Sequence, residues 1–237
     1  MKNSRKMLLA ICLLFVSAVA FCNTNLYTKT ERQVSAARLT HAARVEIGVK
    51  WKKEEAYRVR RHRPGRFRYD TNYRTSYKNT SCVGVLLNNG YVVTSSSCIR
   101  RHSGFRVDEV VLSFSNGKTA TVKGRKVRTK GEIAQIQVES SVTQGIIGME
   151  VVSIQEGTSL QDVYGKDFAY ALQQFLVSRG VVSPRAARMM GRKPNLQVGE
   201  PVFWKGKLIA LFNSVPRRLP VSLFGQISED YLSVFRA

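Results

Sequence analysis

Apolar and polar residues alternate along Val45-Glu46-Ile47-Gly48-Val49-Lys50-Trp51, the period-two pattern of a half-buried strand. Short apolar runs recur downstream. Residues 82–98, read CVGVLLNNGYVVTSSSC, hold two apolar strands around an Asn88-Asn89-Gly90 turn. VVLSFS and TATVKG flank Asn116-Gly117, a strong hairpin signal. Lys123 to Lys130 reads as an edge strand and Glu132 to Val138 as an apolar one. Short strands punctuated by turn residues predict an antiparallel β barrel or sandwich in preference to βαβ units.

The stretch 139–160 is less regular and is expected to cross to a second lobe. There FAYALQQFLVSRGVV, PVFWKGKLIALFNSV and SLFGQI read as strands. The tail from Ser228 to Phe235 reads as a short helix, with Ser228 as N-cap and Glu229 and Asp230 suiting the helix dipole. Residues 23–44 lack strong periodicity and read as an extended or partly helical leader.

The first 22 residues have the layout of a secretory signal. Lys2, Arg5 and Lys6 precede an apolar stretch from Met7 to Val19, with cleavage expected after Ala20 or Cys22. The apolar run is short for a membrane span. A secreted, extracellular protein is therefore expected.

Charge narrows the range of partners. Formal net charge is +22, and loss of the three basic signal residues leaves about +19. Such an excess attracts anionic glycans, anionic surfaces or acidic proteins. Between Lys50 and Arg68 lie nine basic residues, among them Lys52, Lys53, Arg58, Arg60, Arg61, Arg63, Arg66 and Arg68, interleaved with or next to aromatic residues. These are the polyanion-binding candidates. A second set, Lys118, Lys123, Arg125, Lys126, Arg128 and Lys130, has no acid within it. A third comprises Arg179, Arg185, Arg188, Arg192 and Lys193. Each run read alone is as easily a solvated face, whereas three in one chain favour anion binding. Arg and aromatic interleaving also suits nucleic acid, a partner that the secretion signal disfavours. Arg58 to Arg63, RVRRHR, is a candidate processing site, and Asn79-Thr80-Ser81 a glycosylation sequon at Asn79.

The 82–98 segment resembles the histidine hairpin of trypsin-like serine proteases, C-G-G-x-L-(I/L)-x-x-x-x-V-(L/V)-T-A-A-H-C. Glu132-Ile133-Ala134-Gln135-Ile136 is similar to the family's D-(I/L)-A-L-(L/I) strand, and Leu196-Gln197-Val198-Gly199-Glu200-Pro201 to its G-D-S-G-G-P turn. The resemblance covers about residues 45–237. It implies an all-β fold of two antiparallel six-stranded barrels, 45–140 and 141–237, closed by a C-terminal helix. The two cysteines outside the signal, Cys82 and Cys98, read from composition as either a disulfide or two buried thiols. The resemblance implies the disulfide, in keeping with an oxidising compartment.

On this alignment the catalytic histidine, aspartate and serine positions are Ser97, Glu132 and Val198, and the family's zymogen-pairing aspartate falls on Gln197. Acyl transfer by the family's route needs a hydroxyl nucleophile, a base titrating near neutrality and a group that orients that base. Val198 has no hydroxyl, and a serine at 97 is no base near pH 7. His41, His62 and His102 lie outside these motifs, and no metal or nucleotide motif occurs. The resemblance therefore implies a pseudoprotease without cofactor, of the kind found in insect haemolymph and seminal fluid as cofactors, decoys or adaptors. A hydrolase with a displaced triad and a polyanion-binding matrix protein are the alternatives. Oligomeric state is not readable.

Overall fold

The computed structural model describes residues 41–63, 66–100, 104–181, 195–216, 222 and 225–237; nothing is described of the side chains of residues 60–69. The signal, nearly all of the leader, His102 and Arg185 to Lys193 lie outside the described residues.

The chain is mostly β. Strands β1 (Arg44–Arg63), β2 (Arg66–Leu86), β3 (Tyr91–Ser95), β4 (Arg106–Ser113), β5 (Thr119–Lys123), β6 (Arg128–Lys130) and β7 (Ile133–Gln137) form one antiparallel sheet in the order β5-β4-β1-β2-β3-β7-β6. The alternation read from Val45 to Trp51 is realised, since Val45, Ile47, Val49 and Trp51 are all buried. They pack with Leu86, Val92, Val110, Leu112 and Ile136 in one core. The turns at Asn88-Asn89-Gly90 and Asn116-Gly117 fall between β2 and β3 and between β4 and β5.

Connectivity shows that this sheet is curled. Its edges, β5 and β6, are joined by residues 124–127 alone. Those residues bridge at most ~18 Å, whereas the edges of a flat seven-stranded sheet lie ~29 Å apart. The sheet must therefore bend back on itself, and Gly124 locks the joint. A Cβ there would lie 2.2 Å from the Val107 carbonyl oxygen, so only glycine lets the turn sit down on β4.

The described residues beyond 140 do not form the expected second six-stranded barrel. The described residues beyond 140 form a one-turn α1 (Ser140–Thr143), a helix α2 (Leu160–Ser178) and a three-stranded sheet of β8 (Pro201–Trp204), β9 (Lys207–Phe212) and β10 (Leu232–Val234). The stretch FAYALQQFLVSRGVV, expected as a strand, lies largely in α2. Phe168, Ala169, Leu172 and Leu176 recur at helical spacing and are buried on β8–β10, which decides between the periods. PVFWKGKLIALFNSV does form strands, the β8–β9 hairpin. Of SLFGQI, the described Ser222, Gly225 and Gln226 form a turn closed by Ser222 N–H to Gln226 O and Gly225 N–H to Ser222 O. The expected C-terminal helix is a single 3-10 turn, Glu229–Tyr231, running into β10. Ser228 makes no cap there, and its hydroxyl donates to the Asp230 carboxylate instead. Glu229 accepts from the Leu160 N–H at the start of α2, so its charge serves that helix's dipole.

Residues 149–154 run between the two sheets. Met149 N–H donates to Leu86 O at 2.8 Å, Val152 N–H to Leu208 O at 2.9 Å and Ile154 N–H to Phe235 O at 2.9 Å. Val85, Val93 and Ile133 meet Leu208, Leu211 and Phe235 in a shared apolar cluster, so residues 42–237 form one compact unit.

Candidate functional site

Ser97, Glu132 and Val198, the positions aligned above with the triad, all lie outside the strands, in the segments next to β3, β7 and β8. Ser97 stands in the 3-10 turn Ser96–Cys98 that follows β3. Its hydroxyl donates to the Asn213 carbonyl at 2.5 Å and lies 2.8 Å from the Ser95 hydroxyl, which in turn approaches that of Ser233 at 3.3 Å. Ser96 N–H donates to the Glu132 carbonyl at 2.7 Å. The oxygen that holds this loop is therefore the main-chain oxygen of Glu132; its side chain is on an exposed residue. Val198 is half-buried against the first core, and its carbonyl accepts from Val83 N–H at 2.9 Å. The turn that carries it is forced by Gly199, whose φ is 83° and whose Cβ would lie 1.8 Å from the Val83 carbonyl oxygen. Main-chain bonds thus place 96 beside 132 and 198 beside 83. Among the described residues no hydrogen bond or ion pair joins the side chains of Ser97, Glu132 and Val198.

Among the described residues no imidazole or carboxylate is bonded to Ser97 Oγ. Ser97 Oγ is bonded to a peptide carbonyl and to another hydroxyl, neither of which takes up a proton near pH 7. Glu200, which lies in the stretch compared with the G-D-S-G-G-P turn but was given no role there, is the buried carboxylate of the region. Its side chain is 5% exposed and meets Arg179 at 3.3 Å and Arg44 at 3.8 Å. Sequence reading had no handle on it: its partners lie far away in the chain, at the start of β1 and the end of α2. Arg179, counted in the third basic cluster, is accordingly engaged inside the molecule, and its guanidinium also stacks 5.3 Å from the Phe175 ring centroid.

The cysteine pair is a disulfide, Cys82–Cys98, with Cα atoms 6.1 Å apart. It ties β2 to the turn after β3, and so holds the Ser97 loop against the sheet.

The first basic cluster lies on a two-stranded arm. β1 pairs with β4 only from Glu46 to Lys52, and β2 pairs with β3 only at Val85 and Leu86. Between Lys53 and Ser76 the two strands pair in the sheet only with each other, in unbroken register to Arg63 opposite Arg66. At ~3.4 Å per residue the arm reaches ~35 Å. Near its base Lys52 meets Glu54 at 2.7 Å, and Lys53 meets Glu55. These contacts hold both carboxyls below the usual range, first through the lysine hydrogen bond and then through its charge, and raise Lys52. The two lysines are thus matched by acids. Arg58 is exposed, and from Arg58 to Arg68 the sequence has six arginines and no acid. The register sets Arg61 opposite Arg68 and Arg63 opposite Arg66. Tyr57, Tyr73 and Tyr77 are exposed along the same arm. Asn79 is also exposed, while Thr80 of its sequon accepts from the buried Trp51 indole at 2.8 Å.

Among the described residues no cluster of His, Cys, Asp and Glu is placed to hold a metal, and no helix is long and apolar enough to cross a membrane. No family model matches the chain, and no curated protein matches it. Among solved structures the chain is similar to an HtrA-type protease with a decapeptide, at 13% identity and a TM-score of 0.29, over 52% of this chain and 37% of that one.

Proposed function

We propose that this chain is a secreted, catalytically inactive homolog of trypsin-like serine proteases that works by binding an acidic protein or anionic glycan, as a cofactor, decoy or adaptor. The observation that carries the reading is the fate of the triad positions. Ser97 holds its loop through its hydroxyl, and Glu132 and Val198 take part only through their main-chain carbonyls, with no imidazole beside them among the described residues. The basic arm supports binding as the activity that replaces chemistry, because it carries a dense cationic tip on a ribbon free of the sheet.

Loss of triad members removes on the order of 10⁴–10⁶ in kcat. The secreted, disulfide-bonded chain is therefore expected to give no turnover of peptide or ester substrates above the uncatalysed rate, and no labelling by a serine-directed phosphonate. Turnover that the phosphonate abolishes would establish a displaced triad and overturn the reading.

A further inference from the structure

A slot opens where the seven-stranded sheet fails to close. β5 is one edge of that sheet, and β6 is the other. Between them lies a cavity of about 770 Å³. Its frame is fixed at both ends. At one end the β4–β5 turn is clamped to α1 by Lys118 Nζ to Ser141 O at 2.7 Å and Asn116 Nδ2 to Val142 O at 3.0 Å. At the other end the connection pinned by Gly124 carries the chain directly from β5 to β6.

Two features define what the slot accepts. All five consecutive residues of β5, Thr119 to Lys123, line it. Alternate side chains of a strand face opposite ways, so a wall made by consecutive residues is a main-chain edge, with N–H and C=O groups turned to the opening. The rim is cationic. Arg125, Lys126 and Arg128 line it with no acidic partner among the described residues, while Lys123 is matched by Glu109 at 2.6 Å and the one acid in the lining is Glu139. A second copy of the chain is excluded as occupant, since two such edges bring like charges together. A sulfated glycan satisfies the rim but carries no regular series of amide N–H and carbonyl groups to pair along the main-chain edge.

We propose that this slot takes one extended acidic peptide segment of a secreted partner, added as a strand along β5, its carboxylates meeting Arg125, Lys126 and Arg128. Strand addition supplies main-chain hydrogen bonds for affinity and side-chain pairing for selectivity. Five residues of β5 offer ~17 Å of edge. The proposal rests on the reading that the chain works by binding, and it assigns that binding to a site other than the arm.

The test uses the full secreted chain and a fluorescent eight-residue peptide alternating Glu with Val and Thr. Anisotropy and hydrogen–deuterium exchange are read together. Expected results are saturable binding and exchange slowed about tenfold or more at the amides of residues 119–123. Binding is expected to weaken about tenfold or more when alternate Val and Thr of the peptide are replaced by Pro, which cannot donate to a ladder. A similar loss is expected for the R125E/R128E double variant. The proline peptide needs no change in the protein, so the comparison stands even if the variant misfolds. Equal binding of the two peptides, protection confined to the arm, or no binding at all overturns the slot. So does a heparin octasaccharide that displaces the peptide while leaving the 119–123 amides unprotected, which marks a glycan site. A slot that fails while the chain stays bound to heparin at physiological salt leaves the wider binding reading intact; loss of both defeats the two together.

Discussion

A hydroxyl is chemically useful only if something can take its proton, and the Ser97 hydroxyl already donates its own to the Asn213 carbonyl. The energetically demanding group in this region is Glu200. A buried carboxylate is tolerable only when paired, and Arg44 and Arg179 do this from the start of β1 and the end of α2. Breaking a fully buried pair costs ~3–5 kcal/mol. Here the arginines are 26% and 37% exposed, so water compensates part of the loss. Glu200→Gln is accordingly expected to cost ~1–3 kcal/mol in urea unfolding. An unchanged midpoint would show that the pair contributes nothing to the junction.

Among the elements, α2 shows most clearly how local and tertiary terms combine. Ser159 and Asp162 form a capping box. The Asp162 N–H donates to Ser159 Oγ at 3.1 Å, and the Asp162 carboxylate accepts from the Ser159 hydroxyl at 2.6 Å and from its N–H at 3.3 Å. Gly165, at φ 71°, interrupts the helix after its first turn, so the cap and the apolar stripe from Phe168 to Leu176 act on separate pieces. Bonds from Ser159, its hydroxyl first and its N–H second, hold the Asp162 carboxyl below the usual range. A depressed folded value means that the stabilisation is complete above the unfolded pKa, ~3.9, and is lost as pH falls through the folded one. Ser159→Ala is expected to cost ~1 kcal/mol at pH 7, and the gap from wild type should narrow once the pH drops below ~4. Thermal unfolding of both proteins at pH 7 and pH 3 reads this directly; a gap of constant size speaks against the carboxylate's part in the cap.

For the whole molecule, charge and core are kept apart. The apolar clusters hold the two sheets and α2, whereas the arm beyond Lys52 pairs in the sheet only with itself. R60E/R61E/R63E is therefore expected to leave global stability within ~0.5 kcal/mol of wild type while weakening retention on immobilised heparin roughly tenfold at physiological ionic strength. Equal retention would remove the arm from the binding surface. Much of the first sheet was legible in the chain itself: the Val45–Trp51 alternation, the Asn-Gly turns and the apolar strand at 133–137 are local patterns, and local sterics and burial decide them. The second lobe was not, because the FAYALQQFLVS stretch is apolar enough for either period and only its burial on β8–β10 selects the helix. Likewise the sequence by itself determined that residue 97 is a serine and residue 198 a valine and that the chain is strongly basic, because residue identity alone sets both. Where that charge stands was decided only by tertiary structure. Strand pairing turns residues 53–63 and 66–76 into an arm, and curling of the sheet brings Arg125, Lys126 and Arg128 to the rim of a slot. Pairing partners distant in sequence set both, and no local pattern encodes them.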